Sequence, residues 1–441
     1  MKTYNSYKPS GIEWIGEIPK HWKIKKLKYV ADIALGKMLT PDDKGCYVLK
    51  PYLRAQNLQW LSVDISDIKE MWFSEYELAK YKVNKDDLLV SEGGEVGRTC
   101  IWKDEIKECY IQNSVNKVKI TKGNSYYFLY HFYSLGSIDI FNLLVNKVSI
   151  AHLTKEKLKE IELAFPPILE QTAIANFLDR KTAEIDQTIA DKKQLINLFE
   201  EEKKALINEA VTKGLNPNVK LKPSGIDWLG DIPAHWEVKK LKYLVGGKLL
   251  YGANESAEFD DAHNPRYIRI TDFGDDGKLR DDTFKSLPHT IAEDYLLHEG
   301  DILFARSGAT VGKTFQFKAY KGKACFAGYL IKASPDKSKM LSDWLYYFTK
   351  SGLYENWKSS IFNQATIQNI GADKYNTLNI PIASLDEQTS IVNHIESETT
   401  KINNKINLVR REIELITEYR QALIFEAVTG KIDCQNWDLG I

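Results

Sequence analysis

The sequence predicts an α+β protein arranged as a tandem pseudo-repeat. Two globular α/β-type segments are each followed by one long α-helix, and the two helices pack as an antiparallel coiled coil. Three observations carry this reading. Residues 8–29, KPSGIEWIGEIPKHWKIKKLKY, return as residues 222–243, KPSGIDWLGDIPAHWEVKKLKY, with 16 of 22 positions identical. EQTAIANFLDRKTAEID from Glu170 returns as EQTSIVNHIESETTKIN from Glu387, and EAVT occurs at 209–212 and again at 426–429. Finally, residues 1–165 and 220–382 carry short apolar runs bounded by Gly, Ser and Asn, whereas 168–212 and 385–429 contain no proline and no glycine.

In chain order, residues 1–165 form the first globular segment, in which runs such as DLLV at 87–90 read as strands between turns. The first long helix falls within residues 166–214. Its apolar stripe, at alternating steps of four and three, is Leu178, Thr182, Ile185, Ile189, Lys192, Ile196, Phe199, Lys203, Leu206 and Ala210. Residues 215–382 repeat the globular segment, with DILF at 301–304 as a counterpart strand. The second helix falls within residues 383–432, with the stripe Ile395, Thr399, Ile402, Ile406, Val409, Ile413, Ile416, Arg420, Leu423 and Ala427. A tail, 433–441, closes the chain.

A 3.5-residue repeat held over this length is the mark of a coiled coil. Each helix is expected to run roughly 60 Å at about 1.5 Å per residue. Pro166, Pro167 and Pro381 precede the helices, and Gly214 and Gly430 end them, where a residue with positive φ is usual.

Composition narrows the class. The chain of 441 residues balances 60 basic against 60 acidic side chains, which argues against a blanket of positive charge but leaves room for a basic face. Cys46, Cys100, Cys109, Cys325 and Cys434 form no C-x-x-C pair and no ordered framework, as expected in a reducing cytosol. No leader-like segment and no apolar run near 18 residues is read, so the expectation is a soluble cytoplasmic protein without membrane contact.

The doubled P-S-G-I-x-W-x-G-x-I-P-x-H-W signature runs from Pro9 to Trp22 and from Pro223 to Trp236. With YLR at 52–54, YIR at 267–269, the ARSGATVG turn at 305–312 and the P-x-x-x-x-E-Q-x-x-I start of each helix, it resembles the specificity (S) subunit of type I restriction–modification systems. The resemblance spans essentially the whole chain. It implies two target recognition domains, each reading half of a split double-stranded DNA site, with the helices setting their spacing and docking two methyltransferase subunits. It further implies S-adenosylmethionine chemistry at adenine N6 in those subunits, and ATP- and Mg-dependent translocation and cleavage in restriction subunits. This chain would hold no cofactor, no metal and no catalytic centre. A specificity subunit serving a methyltransferase alone, or a coiled-coil scaffold for protein modules, are the alternatives.

The residues agree with a non-catalytic reading. N-P-P-[FY], the mark of amino-methyl transfer, is absent, and the nearest string is NPRY at 264–267. PDDK at 41–44 reads as a surface turn, since two-metal nucleases draw carboxylates from separate strands. SGATVGKT at 307–314 has three residues between its glycines where a phosphate-cradling P-loop needs four, and its counterpart at 94–99 has two and no lysine. His21 and His235, beside tryptophan in the signature, read as structural. Lys25, Lys26 and Lys28, with Lys239, Lys240 and Lys242, read equally well as phosphate contacts or a solvated edge.

Reading bases needs Arg or Lys for guanine and Asn or Gln for adenine, with Lys, Arg, Ser and Thr on phosphates. Such residues cluster at matching places. Arg54, Gln56 and Asn57 stand against Arg266, Arg269, Thr271 and Asp272. Ser91, Glu92 and Arg98 stand against Arg306, Ser307, Thr310 and Lys313, and Lys147, Ser149 and His152 against Asn363, Gln364, Thr366 and Gln368. The interiors 40–140 and 250–355 barely align, so the two half-sites are expected to differ.

Overall fold

The computed structural model describes residues 2–145, 152–274, 279–308, 310–362, 369–435 and 437. The chain divides into two compact units, Met1–Lys192 with Arg410–Ile441, and Lys193–Val409. The division falls within both long helices, Ile168–Lys213 and Leu385–Val428. Each unit therefore holds one globular segment, the first part of the helix that follows it, and the last part of the other helix.

In the first unit the signature folds as a hairpin, Tyr7–Pro9 against Glu17–Pro19, and Lys23–Lys26 pairs with Glu162–Phe165 just before the long helix. The main sheet is antiparallel, in the order Ala31–Leu35, Val115–Ile120, Leu88–Ser91, Thr99–Ile101. Leu88–Ser91 is buried along its whole length, which is why Leu88, Leu89 and Val90 form an apolar run rather than an alternation. A second sheet sets Val48–Leu53 antiparallel to Lys69–Phe73 and parallel to Tyr110–Ile111. The helix Ser125–Ser137, capped by the Asn124 side chain, lays Tyr127, Phe128, Phe132 and Leu135 into the core.

The second unit repeats these connections although the interior sequences do not align. Leu221–Pro223 pairs with Asp231–Pro233, and Glu237–Lys240 with Asn379–Ile382. Its main sheet runs Leu250–Tyr251, Leu330–Ala333, Ile302–Ala305, Thr314–Gln316, and Arg266–Ile268 lies parallel to Ala324–Phe326. One backbone crossing is reproduced in detail. A Cβ at Gly36 would lie 2.2 Å from the Gln112 carbonyl oxygen, and a Cβ at Gly252 would lie 2.2 Å from that of Phe326. Only glycine lets the two strands approach this closely.

Within each unit the helices pair antiparallel. In the first, Arg420 bonds Asp186 at 2.8 and 3.0 Å and Lys192 bonds Glu412 at 2.5 Å. In the second, Lys203 Nζ donates to Asn403 at 2.9 Å and Lys405 lies over the Phe199 ring. Leu178, Ile395, Ile402, Ile406, Val409 and Leu423 are buried, and Ile185, Ile189, Ile196, Phe199, Leu206, Ile413 and Ile416 are half-buried, while most intervening positions are exposed. The 3.5-residue stripe is thus the packed seam in both units. Gly214 and Gly430 end the helices at φ 74°.

The doubled E-Q at each helix start has a physical role. Glu170 Oε2 accepts from the Trp22 indole at 2.9 Å and from the Tyr4 hydroxyl at 3.1 Å, while Oε1 bonds His21 Nε2 at 2.7 Å. Gln171 donates to Pro166 O and accepts from Asn124 N–H, both near 2.9 Å. In the second unit Glu387 bonds His235 at 2.9 Å, and Gln388 donates to Ala383 O and accepts from Leu341 N–H. A Cβ at Gly430 would meet Pro19 and Trp22, and one at Gly214 would meet Glu387 and Trp236. Each signature therefore clips the start of one long helix to the end of the other.

Candidate nucleic-acid interface

Two loops converge at the same end of each main sheet, beyond Leu88–Ser91 in the first unit and Ile302–Ala305 in the second. In the first unit a short 3₁₀ turn, Ala55–Asn57, follows strand Val48–Leu53 and is closed by Asn57 Oδ1, which accepts the Arg54 N–H at 2.9 Å. The Arg54 guanidinium donates to Asp67 O at 2.8 Å and to its carboxylate at 2.9 Å. Lys69 and Arg54 together hold the Asp67 carboxyl below the usual range. Gln56 is exposed beside them. Residues 91–98 form the second loop, and Ser114 ties it to the first: its Oγ accepts Ala55 N–H at 3.1 Å, and its carbonyl accepts Glu92 N–H at 3.0 Å. Burial pushes the Glu92 carboxyl up.

The second unit uses the same frame. Asp272 accepts the Arg269 N–H at 2.6 Å, and the Arg269 guanidinium donates to Asp272 and to Thr283 O. Arg269, Thr271, Asn254 and Tyr329 line a cleft of about 300 Å³. The loop at 305–314 joins it through Arg306 N–H, which donates to Tyr329 O at 3.0 Å. Gly312 N–H turns inward to Ala305 O at 2.7 Å and Lys313 N–H to Thr310 O at 2.9 Å. These amides close a tight turn and are not turned outward to cradle a phosphate.

The structure sorts the residues named from sequence. Gln56 and Thr271 are exposed, while Arg54, Arg98, Arg269, Arg306, Ser307, Thr310 and Lys313 are half-buried at the loop surfaces. Arg98 is tied to Leu58 O and Glu95, and the Arg306 guanidinium lies 5.0 Å from the Tyr251 ring. Three others face inward. Asn57 is buried as the turn's cap, with its amide on Asp64 O and Asp67 O. Ser91 is buried with its hydroxyl on Gly93 O, and Arg266 is 3% exposed, held by Arg280 O and the Phe284 and Tyr320 rings. Their polar groups serve the fold. Lys147, Ser149, Gln364 and Thr366 lie outside the described residues.

Of the repeated lysines, Lys26 and Lys28 both pair with Glu160, whose carboxyl they pull down to about 2, and Lys25 lies over the Phe165 ring. Tyr329, 65% exposed at the cleft, and Ser114, at the matching position, were not singled out from sequence. A Gly-Tyr pair between two buried strands was the available signal for Tyr329.

The profile of the type I restriction modification DNA specificity domain matches residues 19–198 and 233–411. The type I restriction enzyme MjaVIII specificity subunit of Methanocaldococcus jannaschii is 25% identical over 95% of either chain. The EcoBI specificity subunit of Escherichia coli is 22% identical, over 80% of this chain and 75% of that one. A chain from a structure of a type I R-M system, solved to show its assembly and conformational transition, superposes with a TM-score of 0.70 at 14% identity. That match covers 94% of this chain and 99% of the other. The HsdS subunit from Thermoanaerobacter tengcongensis superposes at 0.52 and 14% identity, over 94% and 98%.

Proposed function

The chain belongs to the type I restriction modification DNA specificity family, and from that premise we propose how it reads its DNA. The first unit reads one half of a bipartite double-stranded site through Arg54, Gln56, Glu92 and Arg98. The second reads a different half through Arg269, Thr271, Arg306, Thr310 and Lys313. One observation carries this: the same two-loop frame recurs in both units with different side chains at matching positions. Arg, Gln and Glu can each pair with base edges in the major groove, and each prefers a different base.

Chemistry belongs to partners in this reading. Two methyltransferase subunits supply S-adenosylmethionine-dependent methylation at adenine N6, and restriction subunits supply ATP- and Mg-dependent translocation and cleavage. The duplicated signature and helix starts suit two identical partners, because they present the same groups twice. The complex works in the cytoplasm. Among the described residues, no helix is long and apolar enough to cross a membrane.

The test is DNA affinity of the chain purified with its methyltransferase, measured across salt concentration. A specificity subunit gives binding whose logarithm falls linearly with the logarithm of salt, because phosphate contacts release counterions. A complex that assembles and shows no salt-dependent DNA affinity would instead mark the chain as a protein scaffold.

A further inference from the structure

A cluster of lysines in the second unit has no electrostatic counterpart in the first. Positions 217 residues apart are structurally equivalent here, as Asn124 and Leu341 are through Gln171 and Gln388. In the first unit, Arg420 is neutralised by Asp186 at 2.8 Å and covers the Tyr133 ring at 5.3 Å, and Phe141 packs under Gly97. In the second unit these four places hold Lys203, Asn403, Lys350 and Lys358. The Asp186 carboxylate and both aromatic rings have no copy there; two further cations stand in their place, with Glu200 and Glu355 as new carboxylates beside them.

The site is positively charged and partly desolvated. Lys203 Nζ donates to the neutral Asn403 amide oxygen at 2.9 Å and pairs with the Glu200 carboxylate at 3.8 Å. Lys350 Nζ donates to Thr314 O at 3.0 Å and lies 4.7 Å from the Tyr346 ring. Burial, then the charges of Lys313, Lys358 and Lys203, push its ammonium down to about 8. Lys358 pairs with Glu355 at 2.8 Å, a carboxylate 64% exposed. The cluster lies directly behind the reading loop: Tyr354 donates to Gly312 O at 3.0 Å, and Lys358 Cδ would lie 2.3 Å from a Cβ at Gly312. Three ammonium groups face two carboxylates, Glu200 and Glu355, so the cluster keeps an excess of positive charge that a bound anion would neutralise.

We propose that Lys203, Lys350 and Lys358 hold a backbone phosphate of the DNA read by the second unit. The first unit lacks this contact, so the two units grip the duplex unequally. Continuity with the loop carrying Arg306 favours a nucleic-acid phosphate over an acidic protein surface. The inference rests on the DNA-reading function proposed above.

The experiment uses the full chain assembled with its methyltransferase and a duplex carrying the motif found by methylation mapping. Affinity is measured between roughly 50 and 200 mM salt for wild type, Lys203→Gln, Lys350→Gln and Lys358→Gln. Each variant should reduce the slope of log affinity against log salt by up to about 0.9 and weaken binding by up to roughly eightfold at 0.1 M salt. The methylated motif should stay the same. Lys350→Met should bind DNA more weakly yet melt at a higher temperature than wild type, because it removes a buried charge; a lysine with only a structural role would show a lower melting temperature. Unchanged slopes in folded variants would overturn the proposal. So would loss of methyltransferase assembly with an unchanged slope, which would assign the cluster to an acidic protein partner. Failure of the wild-type complex to bind DNA would instead overturn the reading on which the proposal rests.

Discussion

Glu92 and Arg306 occupy the same backbone position in the two units. Each follows a buried strand, each N–H donates at 3.0 Å to the matching carbonyl, Ser114 or Tyr329, and each carbonyl accepts at 2.8 Å from Leu153 or Ile370. The frame is held constant while the side chain changes sign. A carboxylate can accept from the cytosine amino group and a guanidinium can donate to guanine, so under the proposed function one position asks two different questions of DNA.

Substituting these two residues should therefore act on one half-site at a time. Arg306→Gln is expected to relax or weaken the half-site read by the second unit by about five- to 150-fold, from roughly 1–3 kcal/mol of lost discrimination. The other half should be untouched, and Glu92→Gln should give the reverse. Methylation mapping of each variant reads both halves together.

Glu170 should matter more to stability than its repeat partner Glu387. Glu170 satisfies the buried Trp22 indole, His21 and Tyr4, whereas the Trp236 indole nitrogen has no hydrogen-bond partner among the described residues and Glu387 bonds His235. Glu170→Ala is expected to cost about 3 kcal/mol and Glu387→Ala about 1 kcal/mol. Urea denaturation followed by tryptophan fluorescence compares them.

Gly36→Ala and Gly252→Ala should each disrupt their own unit, because a methyl group cannot share space with a carbonyl oxygen 2.2 Å away. The strands must separate, at an expected cost above about 3 kcal/mol. Limited proteolysis should show new cleavage in residues 2–145 for the first variant and in 215–362 for the second.

Acid should weaken the first unit through His131. This ring is fully buried, accepts Ala164 N–H at Nε2, and is pushed down by burial to about 4 from 6.5. The unfolded chain takes up a proton that the folded one refuses, so stability is complete above about pH 6.5 and is lost as pH falls toward 4. The loss is roughly 3 kcal/mol. Melting temperatures across that window should fall for wild type and fall less for His131→Gln.

The parts legible in the sequence were those with a period or a copy. The helix seam follows from spacing alone, because burial of one face forces a 3.5-residue repeat, and the signature declared itself by recurring. The residues proposed to read DNA were legible only by chemical type. Asn57 and Arg266 are the kind of side chain that reads bases, yet a backbone turn takes the hydrogen bonds of the first and the Arg280 carbonyl accepts from the second. The equivalence of Glu92 with Arg306, and the place of Tyr329, depend on strand register. The turn 91–97 is one residue shorter than 305–312, so no fixed offset reveals the match there.

Two different readers on one chain require one split, asymmetric site. Expressing the chain with its methyltransferase in a methylation-free host, and mapping modified adenines across the genome, tests that most directly. A single asymmetric, bipartite motif that disappears when this chain is left out is the expected result. A palindromic or undivided motif, or no methylation from a complex shown to assemble, would contradict it.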